Sequence, residues 1–282
     1  MRRWRLPGAA LVGVVQPRAE SLAAIETAAR ECEVRGGADR AALLREALTT
    51  LRAVMRPDAL RRAETDIAAL MEAEGIAMRP GPRAVIAAGV LPTLRRAILG
   101  MQLAVVRYTG PNTGEPATRI LCPYGLLYGG RGWLVAAVDG LPEMRLWRLD
   151  RILSADLLDR GFQPREDFNL AEYAAQSFGV FQEEPIDVVL RFTPEAAEDA
   201  ERWSFHPSQT LTREADGSLT VRFRAGGMLE MCWHLFTWGT AATVVTPDSL
   251  RRLMAETTMT LAEHYTATLS SPAPARCTSP ER

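Results

Sequence analysis

Apolar residues recur every three or four positions from Ala19 to Ile98 and then at every second position from Leu103 to Leu158, so a helical segment gives way to strands. Pro17 to Ser21 opens a first helix whose apolar face includes Leu22, Ile25 and Ala29, and Gly36-Gly37 stops it. Asp39 is placed to cap a second helix, Arg40 to Val54, with Leu43, Leu44, Ala47, Leu48 and Leu51 at helical spacing. After Pro57-Asp58 a third runs from Ala59 to about Glu74 with Leu60, Ile67, Leu70 and Met71 inward, and Gly75 ends it. Pro80-Gly81-Pro82 is a break, and Val90 to Ile98 predicts one more short helix.

The strands predicted next are Leu103 to Thr109, Ala117 to Tyr128, Trp133 to Val138, Met144 to Leu149 and Ile152 to Leu158, with turn signals at Gly110 to Gly114, Gly129 to Gly132 and Asp139-Gly140. Five consecutive strands with tight turns favour a small barrel, which removes exposed edges. A linker from Gly161 to Phe168 and a short amphipathic turn, Leu170 to Phe178, lead to a third unit. Its pattern is a strand (Ile186 to Phe192), a helix (Pro194 to Glu201), a hairpin around Asp216-Gly217 (Gln209 to Arg213 with Leu219 to Arg224), a helix (Met228 to Trp238), a strand (Ala242 to Val245) and a helix (Pro247 to Tyr265). That β-α-β-β-α-β order is ferredoxin-like, and the fold class is α+β. The Ser-, Pro- and Ala-rich stretch from Thr266 to Arg282 reads as a disordered tail.

A chain of 282 residues, 47% hydrophobic and 24% charged, has the balance of a globular protein with room for two or three domains, and no apolar run is long enough for a membrane span. Net charge is -1, but residues 1–94 hold 14 Arg against 11 Asp or Glu, residues 95–165 hold 10 against 6, and residues 166–282 hold 9 against 17. Positive charge is therefore concentrated in the first two segments. All 33 basic residues are Arg, which suits bidentate phosphate contacts, although high-GC codon usage is the plainer cause.

Cys32, Cys122, Cys232 and Cys277 form no C-x-x-C pair, so neither a zinc site nor a disulfide framework is indicated, and a reducing cytoplasm is the expected location. His206, His234 and His264 stand near no nucleophile motif, and no P-loop, dinucleotide fingerprint or metal-binding helix is present. The expectation is a protein with no cofactor, no metal and no enzymatic activity. His206-Pro207-Ser208-Gln209 reads as a proline turn between helix and strand. Met1-Arg2-Arg3-Trp4-Arg5 and the apolar stretch after it have the outline of a leader, but Pro7, Gly8 and Gly13 interrupt the stretch and no small-x-small site follows directly.

Pro123-Tyr124-Gly125-Leu126-Leu127, Gly132-Trp133-Leu134-Val135-Ala136 and Arg145 to Ile152 stand in an order and spacing that resembles the WYL domain. Bacterial transcriptional regulators use this small Sm/SH3-like β-barrel as a sensor downstream of a DNA-binding winged helix-turn-helix. The third unit resembles the C-terminal extension that accompanies WYL domains, including Trp238-Gly239 and Pro247 followed by Leu250. Arg2 to Gly8 resembles the last strand of the wing, so the expectation is that the sequence opens inside a winged helix whose helices lie upstream or have been lost, and that these 282 residues alone bind no specific duplex site. One departure stands in the name motif, where Gly132-Trp133-Leu134 replaces Trp-Tyr-Leu.

The resemblance implies an effector face built from basic and aromatic positions, and it carries over to Tyr108, Arg119, Pro123, Tyr124, Arg145 and Arg151. Pro123 is read as backbone geometry only. Strand alternation sets Arg145 and Trp147 on one face, a combination that can grip a phosphate and stack a base, with Tyr128, Trp133 and Arg148 extending the surface. The competing reading makes Tyr124 and Trp133 packing residues, stacks Arg145 on Trp147 and pairs Arg151 with Asp150.

The resulting domain division is an N-terminal arm (1–16), a helical dimerisation region (17–89), the WYL-type barrel (90–165), a linker (166–185), the ferredoxin-like extension (186–266) and the tail (267–282). The expected partners are a second copy of the chain and a single-stranded nucleic-acid or nucleotide-like effector. The alternative is an oligomerisation or protein-interaction module with no nucleic-acid ligand.

Overall fold

In the computed structural model, which describes residues 17–34, 37–73, 81, 85–110 and 114–269, the N-terminal helical pattern becomes α1 (Ala19–Val34), α2 (Ala38–Ala53) and α3 (Pro57–Ala73). Leu22, Leu48, Met55 and Ile67 close a small core in which α1 packs on both α2 and α3. Two details differ from the sequence reading. Gly37, not Asp39, is the N-cap of α2, so the Asp39 carboxylate lies in the first turn, where it meets the positive end of the helix. Leu43, expected inward, is 49% exposed, because Ala41 and Leu48 are the buried positions of α2. Pro57 opens α3 at the helical position that needs no backbone N–H.

The chain forms two compact units, residues 1–165 and 166–282. The second part of unit 1 is α4 (Val90–Gly100) followed by β1 (Gln102–Thr109), β2 (Pro116–Tyr128), β3 (Gly132–Val138), β4 (Met144–Arg148) and β5 (Ile152–Gly161). All neighbours are antiparallel in the order β4-β3-β2-β1-β5. Val90, Leu91, Leu94 and Ala97 of α4 seal a core made with Ala104, Val106, Leu121, Leu134, Ala136 and Trp147. Burying a side chain such as Leu94 completely contributes about 1.5–3 kcal/mol.

The two outer strands, β4 and β5, are consecutive in the chain and are joined only by a 3-10 turn, Leu149–Arg151. Three residues cannot span a flat five-stranded sheet about 19 Å wide, so the sheet is curled until its edges approach. Among the described residues no ladder joins β4 to β5. The expected barrel is thus seen as a strongly curled antiparallel sheet with an open ladder.

Unit 2 contains α5 (Leu170–Ala174), β6 (Ile186–Phe192), α6 (Ala197–Glu201), β7 (Thr210–Arg213), β8 (Leu219–Ala225), α7 (Met228–Leu235), β9 (Ala242–Thr246) and α8 (Asp248–Leu269). The sheet is antiparallel in the order β7-β8-β6-β9, with a core of Leu190, Phe192, Val221, Phe223, Met231, Leu235 and Leu250. The penultimate helix, predicted to reach Trp238, ends at Leu235 and tightens into a 3-10 segment in which Gly239 adopts φ 54°. α8 continues to Leu269, beyond the predicted end at Tyr265 and into the predicted tail, because Thr266, Ala267, Thr268 and Leu269 contain no Gly or Pro to stop it. The N-terminal arm and residues 270–282 lie outside the described residues.

Candidate functional site

The register of the curled sheet decides which predicted residues share a face. Arg119 lies opposite Val106, Arg145 opposite Ala136 and Trp147 opposite Leu134, while Tyr108 continues the Ala104 and Val106 row. Tyr108, Arg119, Arg145 and Trp147 therefore stand on the core-facing side of the sheet. Along β4 the surroundings change within two residues. Trp147 is only 7% exposed and donates its indole N–H to the Ala136 carbonyl at 3.1 Å, whereas Arg145 is exposed.

Where β4 runs into the 3-10 turn, four residues interlock. The Tyr108 ring meets Trp147 edge to face with centroids 5.0 Å apart, and the Tyr108 hydroxyl accepts the Arg148 backbone N–H at 3.4 Å. The Arg148 guanidinium grips Asp150 through Nε (3.0 Å) and Nη2 (2.6 Å), and Arg131, from the β2–β3 hairpin, approaches the same carboxylate at 3.5 Å. Arg148 holds the Asp150 carboxyl below its ordinary range, and Asp150 in turn raises the Arg148 guanidinium. Arg148 is thus committed to a two-point ion pair, and Asp150 is taken by Arg148 and Arg131 rather than Arg151.

The remaining arginines differ. Among the described residues neither Arg145 nor Arg151 has a side-chain partner, and the Arg119 guanidinium is satisfied only by the carbonyl of its neighbour Thr118 at 3.0 Å. These three are the cations of the predicted face that remain available to an anion.

The other aromatic positions are tied elsewhere in unit 1. Tyr124 packs against Phe162 and its hydroxyl accepts the Arg165 backbone N–H at 3.2 Å. Tyr128 is half exposed, with the Arg40 guanidinium of α2 5.6 Å from its ring centroid. Trp133 is 7% exposed and opposite Arg148 in the register, on the face away from Trp147. At Gly132, where the name motif begins with Trp, an added Cβ would lie 2.8 Å from the Leu149 side chain. The fully buried Leu149 therefore takes up space that a side chain at 132 would need.

No local pattern marks Arg131, which lies in a hairpin loop, or the role of Asp150. Only the fold brings that loop back to the end of β4. Among the described residues no cluster of His, Cys, Asp and Glu could hold a metal ion, and no helix is long and apolar enough to cross a membrane.

Comparison with known proteins places a WYL domain over residues 89–157 and a WCX domain over residues 184–262. The chain carries a WYL domain followed by a WCX domain. The WYL match covers α4, β1 to β4 and the first part of β5, and the WCX match covers β6 to β9 and the larger part of α8. Protein PafC of Mycobacterium tuberculosis, in strains CDC 1551 / Oshkosh and H37Rv, is 27% identical over 222 residues, covering 78% of this chain and 68% of the relative. Among solved structures, proteasome accessory factor B/C (PafBC) of Arthrobacter aurescens aligns with a TM-score of 0.31 and 19% identity over 64% of this chain and 28% of that chain. A CRISPR Cas-related protein aligns with a TM-score of 0.42 and 11% identity over 62% of this chain and 50% of that chain. The chain spans half or less of the length of either solved chain.

Proposed function

We propose that this WYL-domain protein is a ligand-sensing regulatory protein of bacterial transcription, cytoplasmic and non-catalytic, whose WYL domain takes a single-stranded nucleic acid or nucleotide-like effector. One observation carries the reading: among the described residues Arg145 and Arg151 are without side-chain partners, on either side of a braced unit, Tyr108, Trp147, Arg148 and Asp150. Guanidinium groups held next to a rigid frame can receive phosphates without first breaking an ion pair. Arg119, on the same face as Arg145, supplies a third contact along a bound strand. In this reading the curled sheet is the Sm/SH3-like barrel of the family. The WCX unit is ferredoxin-like, in keeping with its sheet order β7-β8-β6-β9.

The domain division predicted from the sequence is kept as part of the proposal, with α1 to α3 acting in a homodimer. These 282 residues alone are proposed to read no duplex sequence. The test is binding of a short single-stranded oligonucleotide by the wild type and by Arg145→Ala and Arg151→Ala at several salt concentrations. Binding that weakens with salt, and weakens further in each variant, supports the reading.

The burial of Trp133 and Trp147 favours a second reading, an interaction module whose aromatic residues only pack and whose arginines are solvated. Absence of oligonucleotide and nucleotide binding at low salt would favour it.

A further inference from the structure

Two contacts tie the β2–β3 hairpin to the rest of unit 1, and the first runs through Arg131. Asp150 is satisfied without it, because Arg148 covers Oδ1 through Nε at 3.0 Å and Oδ2 through Nη2 at 2.6 Å. Arg131 Nη1 lies 3.5 Å from Oδ2, held by charge, and among the described residues its guanidinium makes no hydrogen bond. Its side chain is 37% exposed, while that of Asp150 is 14% exposed. If Arg131 leaves, Asp150 keeps its two-point partner and no bare charge remains in the fold, so the move costs little. An arginine held in place with its donors unspent can turn to a phosphate. Asp150 directly precedes Arg151, which sets Arg131 beside the proposed effector face.

The second contact is on the other side of the same turn. Tyr128 pairs with Gly132 in the ladder, and the Gly129 N–H donates to the Arg131 carbonyl at 3.0 Å, which closes the loop over Gly129-Gly130. Tyr128 and Arg131 are thus the two ends of one short, closed turn. The Arg40 guanidinium, from the first turn of α2, stands 5.6 Å from the Tyr128 ring centroid. The turn therefore joins the Asp150 corner of the sheet to the start of α2.

We propose that this hairpin is the regulatory element of the effector face: in the free protein Arg131 rests on Asp150 and Tyr128 on Arg40, and a bound effector draws Arg131 onto a phosphate and Tyr128 away from α2. The inference rests on the proposed binding of a single-stranded effector by Arg145 and Arg151. By linkage, a contact made only in the free state opposes the effector, and its removal strengthens binding by the worth of the contact. For an exposed cation over a tyrosine ring that is about two- to fivefold.

The test measures binding of a labelled single-stranded oligonucleotide to the full chain by fluorescence anisotropy over a salt series. Arg131→Gln should weaken binding and make the slope of log K against log salt shallower by about 0.7, the share of one phosphate contact. Arg40→Gln removes an exposed positive charge and yet should strengthen binding about two- to fivefold. Tyr128→Leu should do the same, and the double variant no more than either single one, because both remove one contact. An Arg40 that only adds to the electrostatic field gives the opposite sign. Absence of binding by the wild type overturns the effector reading and this inference with it. Binding by the wild type with an unchanged slope in Arg131→Gln, or with unchanged or weaker affinity in Arg40→Gln, overturns this inference alone and leaves the effector reading standing.

Discussion

Tyr108 and Trp147 stand on β1 and β4, with β2 and β3 between them in the ladder, yet their rings meet edge to face at 5.0 Å and 84°. Only a curled sheet permits this. The contact therefore ties the outer strand β4 to β1 across the curl of the sheet, beside the proposed effector face. Trp147→Ala should cost about 3–5 kcal/mol by opening a cavity in the core, and Tyr108→Phe about 0.5–1.5 kcal/mol through loss of the hydroxyl that accepts the Arg148 N–H. Chemical denaturation followed by tryptophan fluorescence measures both. Equal, negligible losses would show that the ring pair does not hold the sheet in its curl.

Asp150 links this frame to pH. Arg148, chiefly through its hydrogen bonds, keeps the folded carboxyl below its ordinary value, so the unfolded chain takes up this proton first as pH falls. The pair's stabilisation is complete above about pH 4 and is lost as pH drops through the lower folded value. Asp150→Asn should remove this acid-limb dependence and cost about 1–3 kcal/mol at neutral pH, between the values for exposed and buried pairs. Denaturation midpoints measured from pH 7 to pH 3 check both effects.

Burial lowers the pKa of His206 and of His234, in both cases principally by desolvation. The unfolded chain then binds protons at pH values where the folded rings remain neutral. Their contribution to stability is present above about pH 6.5 and declines as pH falls below it. The denaturation midpoint of the wild type should be lower at pH 5.5 than at pH 7.5. In His206→Asn with His234→Asn the difference should shrink; an unchanged difference would place the dependence on other groups.

The sequence announced most elements because each rests on a local period or turn. Ile186 to Phe192 was predicted as a strand and is β6, and the Asp139-Gly140 and Asp216-Gly217 turns have their glycines at φ 80° and 84°. What the sequence could not supply was distance across the fold. Alternation placed Arg145 and Trp147 on one face, but not the point along β4 where the core ends, which leaves one exposed and the other buried. The partners of Tyr124 and Tyr128 lie 41 residues downstream at Arg165 and far upstream on α2, beyond the reach of any local pattern. For the His206 turn, the proline explained the chain reversal and said nothing of the burial of the ring against Phe223.

Assembly is testable separately. The helices α1 to α3 bury only a small shared core, and Leu43 of α2 and Val34 of α1 remain exposed. A second copy is expected to cover such surface. Light scattering should give twice the 31.0 kDa chain mass at micromolar concentration. Leu43→Glu should lower it toward one chain mass. A monomer at all concentrations would remove the dimer from the proposal.

The central claim is that Arg145 and Arg151 receive phosphates of a single-stranded effector, and the salt dependence of binding tests it most directly. Fluorescence anisotropy with a labelled oligonucleotide gives the slope of log K against log salt, which changes by about 0.7 for each phosphate contact. The account predicts tight binding at low salt and, in Arg145→Ala with Arg151→Ala, weaker binding with a slope shallower by about 1.4. No binding at low salt, or an identical slope in the double variant, would contradict it.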